Sequence, residues 1–213
     1  MFIGHFALSF AAKRWVPRVS LGALFAAAAF ADILWPVLVA AGIEVVRITP
    51  GITVMTPLEF VSYPYSHSLV MLVIWGLLFG WIGSRAVHDR GVFIVLFALV
   101  ISHWVLDYVT HRPDMPLYPG GPKVGLGLWN YPLAERAIEI AMYAVGIWIY
   151  TRATRALDAI GRWALFSLAA VLLILFLLNS APPPSITALW IAALAGGGLT
   201  LMWAYWADTH RTW

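Results

Sequence analysis

The chain has 213 residues, of which 62% are hydrophobic and only 11% are charged. A soluble domain carries about 25% charged residues, so the polar side chains here are too few to cover a water-soluble fold. The formal net charge is +3 and cysteine is absent, which excludes disulfide bonds and thiolate metal sites. Apart from the adjacent Lys13 and Arg14, the basic residues stand singly, mostly at the ends of apolar runs, a pattern typical of membrane flanks and not of a nucleic-acid surface.

Six apolar stretches are each long enough to cross a hydrocarbon layer of about 30 Å. In chain order they cover residues 19–43, 66–84, 91–110, 133–151, 162–178 and 186–207. A shorter apolar segment, residues 1–12, precedes them, and its charges follow it instead of leading it as in a signal peptide, so we expect it to be retained. The sequence therefore predicts an all-α, polytopic transmembrane bundle of about six spans plus a short N-terminal helix, all in one domain over residues 1–213.

The connections between these spans contain proline and glycine clusters, and residues 179–184 predict a tight fifth connection. If the segment before the first span is cytoplasmic, nine of the 13 Lys and Arg residues lie on the cytoplasmic side. The positive-inside rule therefore predicts a cytoplasmic N-terminus and two long outward-facing connections. The last two spans, residues 162–207, contain no ionisable residue from 165 to 201 and are expected to anchor the domain, with Gly196–198 allowing close helix contact.

Ionisable side chains inside apolar spans are costly and point to a functional site. Counting 1.5 Å per residue along each helix places these groups together in the outer half of the bilayer. His5 reaches that level only if the N-terminal segment is tilted or re-entrant. The residues concerned are His5, Asp32, His67, His103, Asp107 and His111. Each also has a purely structural alternative: Asp32 as a hydrogen-bond acceptor, His67 as a helix cap, His111 at the membrane interface, and the rest as interhelical polar contacts.

The third span carries the strongest pattern. His103, Asp107 and His111 are spaced at i, i+4 and i+8, which places them along one face of a helix. Histidine and carboxylate together are the usual ligands of zinc and related divalent ions. The sequence therefore predicts a metal site, residues 1–125 being the part of the chain that carries it, with Asp32 and His67 as further ligands.

Two more groups of charges flank this site. Glu135 and Glu139 form an i, i+4 pair early in the fourth span, and they are either a general base with additional ligands or an interfacial pair for Arg136 and Arg112. The connection after His111 carries Arg112 and Lys123. These cations are candidates for holding a phosphate, although an ordinary ordered loop is the alternative.

The short motifs Gly4-His5, Ser66-His67-Ser68 and Ser102-His103, together with Asp32 and Asp107, resemble the bacterial inner-membrane metal-dependent hydrolases. That family includes a LexA-binding membrane protein and is distantly similar to the zinc-dependent phospholipases C. The resemblance implies a location in the bacterial cytoplasmic membrane. It also implies metal ligation by Asp32, His67, His103 and Asp107, with Asp107 able to bridge two ions and His5 contributing to one.

The chain departs from that family pattern in two places. The family has an Asp-x-Asp-His element where this chain has Asp32-Ile33-Leu34-Trp35, and a His-Arg pair where it has residues 62–65, Ser-Tyr-Pro-Tyr. These departures remove ligands that a full multi-metal site would use. His111, Glu135 or Glu139 are the residues that could replace them.

We therefore expect a membrane-embedded hydrolase that uses a divalent ion, zinc first, on a lipid or phosphodiester substrate near the outer leaflet. Asp107, His111, Arg112 and Glu135 are its candidate catalytic residues. Membrane lipid is the expected surrounding partner, nucleic acid is not expected, and the oligomeric state stays open. Two alternatives use the same side chains: a proton- or ion-coupled transporter with an Asp/His relay, and a non-catalytic scaffold in which the polar cluster joins helices.

Overall fold

The computed structural model describes residues 1–178 and 181–213, so the first two residues of the predicted tight fifth connection lie outside it. The prediction of an all-α protein is confirmed, and the strands are few and short. The helices are α1 (Ile3–Ala12), α2 (Leu21–Ala28), α3 (Phe30–Ala40), α4 (Pro64–His67), α5 (Leu69–Val87), α6 (Arg90–Thr110), α7 (Pro132–Ala153), α8 (Ala159–Leu178) and α9 (Ile186–Thr209). The strands are β1 (Val45–Ile48), β2 (Leu58–Ser62), β3 (Met115–Pro116), β4 (Lys123–Val124), β5 (Arg155–Ala156) and β6 (Arg211–Thr212).

The structure offers four to five candidate membrane spans where the sequence predicted about six. Among the described residues, α5, α6, α8 and α9 are long and apolar enough to cross a membrane, and the bent pair α2 and α3 makes a fifth candidate. Helix α7 covers the predicted fourth span, but Glu135, Arg136, Glu139 and Arg152 make it more polar than the other long helices. The protein is thus an all-helical membrane protein with four to five candidate spans and a short apolar N-terminal helix.

The first predicted span is not one straight helix. It is broken at Ala29, whose backbone leaves the helical region (φ −98°, ψ 15°), and α2 and α3 meet at a bend of 60°. The break places Asp32 in the first turn of α3. It also turns the carbonyl group of Ala28 towards α6, where it meets His103.

Helix α1 runs beside α7 in the same direction. Gly4 lies next to Glu139, and a Cβ on Gly146 would come within 2.3 Å of the Ala7 carbonyl oxygen. Further along both helices, the ring of Phe10 packs edge-on against that of Tyr150 at 5.5 Å. Because glycine lets the two backbones approach so closely, α1 lies inside the bundle and brings His5 to the level of the polar residues of α6.

One end of the bundle is covered by two small antiparallel hairpins. Strands β1 and β2 pair with Arg47 opposite Glu59, and β3 pairs with β4. Helix α4 follows β2 and ends at His67, and Ser68 then caps α5 through its hydroxyl group. At the opposite end β5 pairs with β6, which joins the start of α8 to the end of α9.

The glycine run in α9 does not serve the role that we predicted for it. Among the described residues, and apart from the backbone of α9 itself, no atom lies within 4 Å of the point where a Cβ would stand on Gly196, Gly197 or Gly198. At Gly22, by contrast, the corresponding point is 2.8 Å from the Leu201 carbonyl oxygen of α9. Close helix contact therefore uses Gly22, and the glycine run of α9 faces open space.

Candidate metal centre

The carboxylate of Asp107 lies at the centre of the buried polar residues. Its Oδ1 is 3.1 Å from His5 Nε2, and its Oδ2 is 3.1 Å from His103 Nε2. The Nε2 atoms of His67 and His111 lie 3.8 and 3.7 Å from the same Oδ2. Four histidine side chains from four places in the sequence thus surround one buried carboxylate.

These side chains form two overlapping groups with the spacing of metal ligands. His5, His103 and Asp107 make one group, and Asp32, His67 and His103 make the other. In each group the ligand atoms lie within 4.8 Å of one another. Two ligands held about 2.0–2.1 Å from a tetrahedral ion stand roughly 3.4 Å apart, so the observed separations are close to those of a metal site.

Hydrogen bonding fixes the tautomer of His103. Its Nδ1 lies 2.8 Å from the carbonyl oxygen of Ala28, and a carbonyl oxygen can only accept, so Nδ1 carries the proton. In the neutral ring, Nε2 then presents a lone pair. This atom lies 3.1 Å from Asp107 Oδ2 but has no hydrogen-bond partner of acceptable geometry in the part of the chain that the structure describes.

The same logic applies to His67 through a chain of two hydrogen bonds. Ser66 Oγ donates to the carboxylate of Glu44 at 2.6 Å, so it must accept from His67 Nδ1 at 2.7 Å. Glu44 also accepts the backbone N–H groups of Tyr65 and Ser66. His67 therefore turns Nε2 towards the two aspartates, 3.6 Å from Asp32 Oδ1.

His111 is oriented by a third acceptor. Its Nδ1 donates to Asp114 Oδ1 at 2.9 Å, and Tyr63 also donates its hydroxyl group to that oxygen. Burial and the Asp114 carboxylate raise the pKa of Tyr63, so its hydroxyl group remains a donor. Metal-ligating histidines commonly hold their second nitrogen in this way against a carbonyl or carboxylate group.

His5 is arranged differently from the other three. Its Nε2 lies within hydrogen-bond distance of Asp107 Oδ1, and its Nδ1 has no partner among the described residues. Its ring stacks on that of His103 at 3.9 Å between centroids. The amino nitrogen of Met1 also contacts Asp107, and it lies 3.0 Å from Thr110 Oγ1.

Together these contacts aim three imidazole lone pairs at two carboxylates. Lone pairs and carboxylate oxygens repel one another at such distances unless a cation lies between them. Of the two Asp107 oxygens, the Met1 ammonium group meets Oδ1 only, so the cation facing Oδ2 can be a proton on one ring or a metal ion among several of them. The arrangement can therefore bind a divalent ion, and the polar residues are not simply paired with each other.

The two predicted phosphate-binding cations lie away from this cluster. Arg112 donates its Nε to Asp114 at 3.1 Å and has Glu59 at 3.9 Å, while Lys123 donates to the Val61 carbonyl oxygen at 2.7 Å. Arg112 thus reaches the cluster only through Asp114, which holds His111.

The predicted acidic pair of α7 divides into two roles. Glu139 accepts the backbone N–H groups of Phe2 and Gly4 and so holds the start of α1. Glu135 is buried next to the Glu139 carboxyl group, and its Oε2 meets no hydrogen-bond donor among the described side chains and backbone groups. Arg112 is bound elsewhere, and the Nε of Arg136 is likewise unpartnered in the described residues, so neither glutamate forms the interfacial ion pair that was the alternative.

A cavity of about 550 Å³ opens beside the cluster. The polar side chains Asp32, His67, Asp107, His111 and Glu135 line one part of it, and apolar residues of α8 and α9 line another. A small molecule could therefore reach the carboxylates and imidazoles from this cavity.

Comparison with family models matches residues 1–181 to the YdjM inner membrane protein family. The chain belongs to this family. A search of curated proteins finds no match, and a search of solved structures finds none either. Membership in the YdjM family, together with the apolar helices, identifies a multi-pass inner-membrane protein.

Sequence reasoning missed two residues of this YdjM-family site. Glu44 follows α3 in a short turn, and Asp114 lies in the proline-rich connection after α6. Neither shows a helical spacing to the ligand residues, because each meets its histidine only through the tertiary fold. The one available signal was that Glu44 is an acidic residue next to an apolar span, where an ionised group needs partners.

Proposed function

We propose that this YdjM-family protein is a membrane-embedded, metal-dependent hydrolase. The supporting observation is the short approach of His103 Nε2 to Asp107 Oδ2, 3.1 Å, while His103 Nδ1 is already committed to the Ala28 carbonyl oxygen. Because this leaves a lone pair against a carboxylate in a buried place, a cation between them would relieve the repulsion.

The donor set fits zinc or a similar ion. Imidazole nitrogens with carboxylate oxygens, and no sulfur, are typical of catalytic zinc sites. His103 belongs to both candidate groups, and Asp107 places Oδ1 beside His5 and Oδ2 beside His103. We therefore assign Asp32, His67, His103 and Asp107 as metal ligands, with His5 as a further ligand of the Asp107 side.

The chain's own residues would supply the rest of the reaction. A bound divalent ion activates a water molecule and stabilises negative charge that develops on the substrate. His111, oriented by Asp114, is close enough to Asp107 to move a proton at the edge of the cluster. Glu135, buried and unpartnered at the cavity wall, is the second candidate for holding a proton. Arg112 fixes Asp114 and thereby the His111 ring.

The substrate class follows from the surroundings. The cluster opens to a cavity with an apolar wall inside a membrane bundle, which favours a lipid or another phosphodiester with an apolar part. With the N-terminal flank in the cytoplasm, as the distribution of basic residues predicts, the cavity lies towards the outer leaflet.

The test is turnover by the purified protein. The wild type is placed in vesicles of phosphatidylethanolamine and phosphatidylglycerol with added zinc, and released head groups and fatty acids are measured by mass spectrometry. We expect products from the wild type and none from Asp107→Asn. Product release that is equal in both would contradict the proposal. The control for nonspecific effects of mutation and purification is His210→Ala, which alters only an exposed pair with Asp158 outside the cluster.

A further inference from the structure

The cavity beside the cluster has two chemically distinct ends. Its polar end holds the imidazoles and carboxylates described above. Its other end is lined by residues of α8 and α9, which are apolar or small apart from Thr200. They include Leu172, Leu175, Phe176, Leu189, Ala193 and Gly197.

The glycines of α9 widen this apolar end. Gly196 and Gly197 line the cavity, and no atom of another described element lies within 4 Å of where their Cβ atoms would stand. Glycine inside a helix costs stability relative to alanine, and no close helix contact accounts for these two positions. Their effect is to leave room along the cavity wall.

A second observation at the same cavity points to a ligand. Glu135 is 1% exposed and lines the cavity, and its Oε2 has no partner in the residues described. A buried carboxyl oxygen without a donor is costly, so a hydrogen-bond donor that enters the cavity would be held there. The cavity thus offers polar contacts at one end and an apolar wall at the other.

The outer faces of the two helices are suited to a lipid surrounding. Ile191 and Leu199 of α9 and Leu175 of α8 are half exposed or more on the protein surface. A molecule that reaches the apolar end of the cavity from this side would come from the membrane itself. The volume of about 550 Å³ lies within the range of small-molecule sites, about 300–1,000 Å³.

We propose that the α8–α9 end of the cavity binds one acyl chain of a membrane phospholipid, whose head group lies at the His/Asp cluster. Segregation of polar and apolar walls in one cavity matches the segregation of polar head and apolar tail in a lipid. The placement of the head group rests on the proposed function, because a phosphate beside Asp32 and Asp107 requires bound cations. The acyl-chain site itself does not depend on metal.

The experiment compares neighbouring glycines of the same helix. Gly196→Leu and Gly197→Leu place a side chain in the cavity, whereas Gly198→Leu is the matched control, because Gly198 has equal free space but does not line the cavity. Each protein is purified in detergent, incubated with phosphatidylglycerol and examined by native mass spectrometry for retained lipid. Leucine favours a helix more than glycine does, so all three variants should fold, and size-exclusion chromatography checks this.

We expect one retained lipid on the wild type and on Gly198→Leu. Retention should fall by about tenfold or more in the two cavity variants, since that corresponds to lost contacts with about two methylene groups. Equal retention in all three variants would overturn the proposal. A wild type that runs as a dimer and retains no lipid would also overturn it, because a second copy of the chain would then cover the α8–α9 surface.

The metal content of the same samples separates this inference from the proposed function. Gly197→Leu should keep the divalent ion and lose the lipid. Asp107→Asn should lose the ion, and if it still retains lipid, the acyl-chain site stands whether or not the protein is a hydrolase. A Gly197→Leu protein that keeps both its lipid and its zinc, while Asp107→Asn loses the zinc, would support the metal site and rule out the acyl-chain site.

Discussion

Two buried polar clusters lie in this bundle, and they differ in how their atoms are paired. In the first, around Asp107, imidazole nitrogens face carboxylate oxygens, and His103 Nε2 has no acceptable hydrogen-bond partner among the described residues. The second lies near the opposite end of the bundle, around Asp208. There every carboxylate oxygen meets a donor.

The contacts of the second cluster show this complete pairing. Lys13 Nζ donates to Asp208 Oδ2 at 2.6 Å and to the Val19 carbonyl oxygen at 2.9 Å. The backbone N–H of Leu21 donates to the same Asp208 oxygen, and Tyr150 donates its hydroxyl group to the other at 2.6 Å. These bonds join α7 and α9 to the α1–α2 connection.

The difference separates a structural cluster from a candidate site. A buried ion pair with all its partners holds helices together, and it is satisfied without any added molecule. In the Asp107 cluster the Met1 ammonium group meets only Oδ1, whereas Oδ2 faces imidazole nitrogens. A further cation between these acceptors would stabilise them. The Asp208 cluster therefore accounts for stability, the proposal of metal binding concerns the Asp107 cluster alone, and the predictions below test that division.

The largest effect is expected in the structural cluster. Asp208→Ala leaves the ammonium group of Lys13 buried without its partner, and breaking a buried pair in this way costs about 3–5 kcal/mol. Unfolding of the purified protein in detergent micelles should show that loss of stability, while bound zinc per folded chain stays unchanged. A fall in zinc binding by the folded variant would mean that the two clusters are not independent.

The next effect concerns a ligand shared by both candidate groups. His103→Ala should weaken zinc affinity by more than about 100-fold, since changes in outer-shell partners alone cost about 10–100-fold. Competition with a chromophoric chelator measures this affinity. If the cluster only joins helices, the variant will instead lose stability and bind zinc as the wild type does.

A smaller effect is expected from the residues that orient His67. Glu44→Gln weakens the acceptor of Ser66, so His67 is held less firmly and zinc affinity should fall by about 10–100-fold without loss of fold. Glu59→Gln is the matched control on nearby β2, because its carboxylate meets Thr49 and the distant Arg112 but no histidine. Equal zinc affinity in both variants would remove Glu44 from the site.

The smallest effect belongs to an exposed pair at the start of α8, between Asp158 and His210. The Gly161 N–H group, and then His210, hold the pKa of Asp158 below its ordinary value. Such a carboxylate adds stability above its unfolded pKa, about 3.9, and this contribution is lost as the pH falls towards the lower folded pKa. Asp158→Asn should therefore lower the melting temperature slightly at neutral pH and by less in acid; a shift that grows in acid would contradict the assigned sign.

The polar residues of the candidate site could be predicted because their position alone is informative. His103, Asp107 and His111 repeat along one helix face, and Asp32 and His67 stand in apolar surroundings. The structure brings all five together, with His5. The sequence could not show that α1 runs beside α7, because the contact depends on the absence of a side chain at Gly146.

Other features depend on tertiary contacts that leave no local pattern. The break at Ala29 lies in an unbroken run of alanine and phenylalanine, so the predicted span had no visible interruption. Glu44 and Asp114 reach their histidines across loops. The run Gly196–198 is compatible with either a helix contact or a cavity wall, and only the position of neighbouring helices decides between them.

The measurement that tests the central claim most directly is the metal content of the wild-type protein. The chain is purified without chelator, supplied with zinc, freed of excess and examined by inductively coupled plasma mass spectrometry beside Asp107→Asn. Two overlapping ligand groups predict roughly one to two tightly bound divalent ions per wild-type chain and a large loss in the variant. A wild type that holds no more metal than Asp107→Asn would contradict the account, and the Asp107 cluster would then be an interhelical contact only.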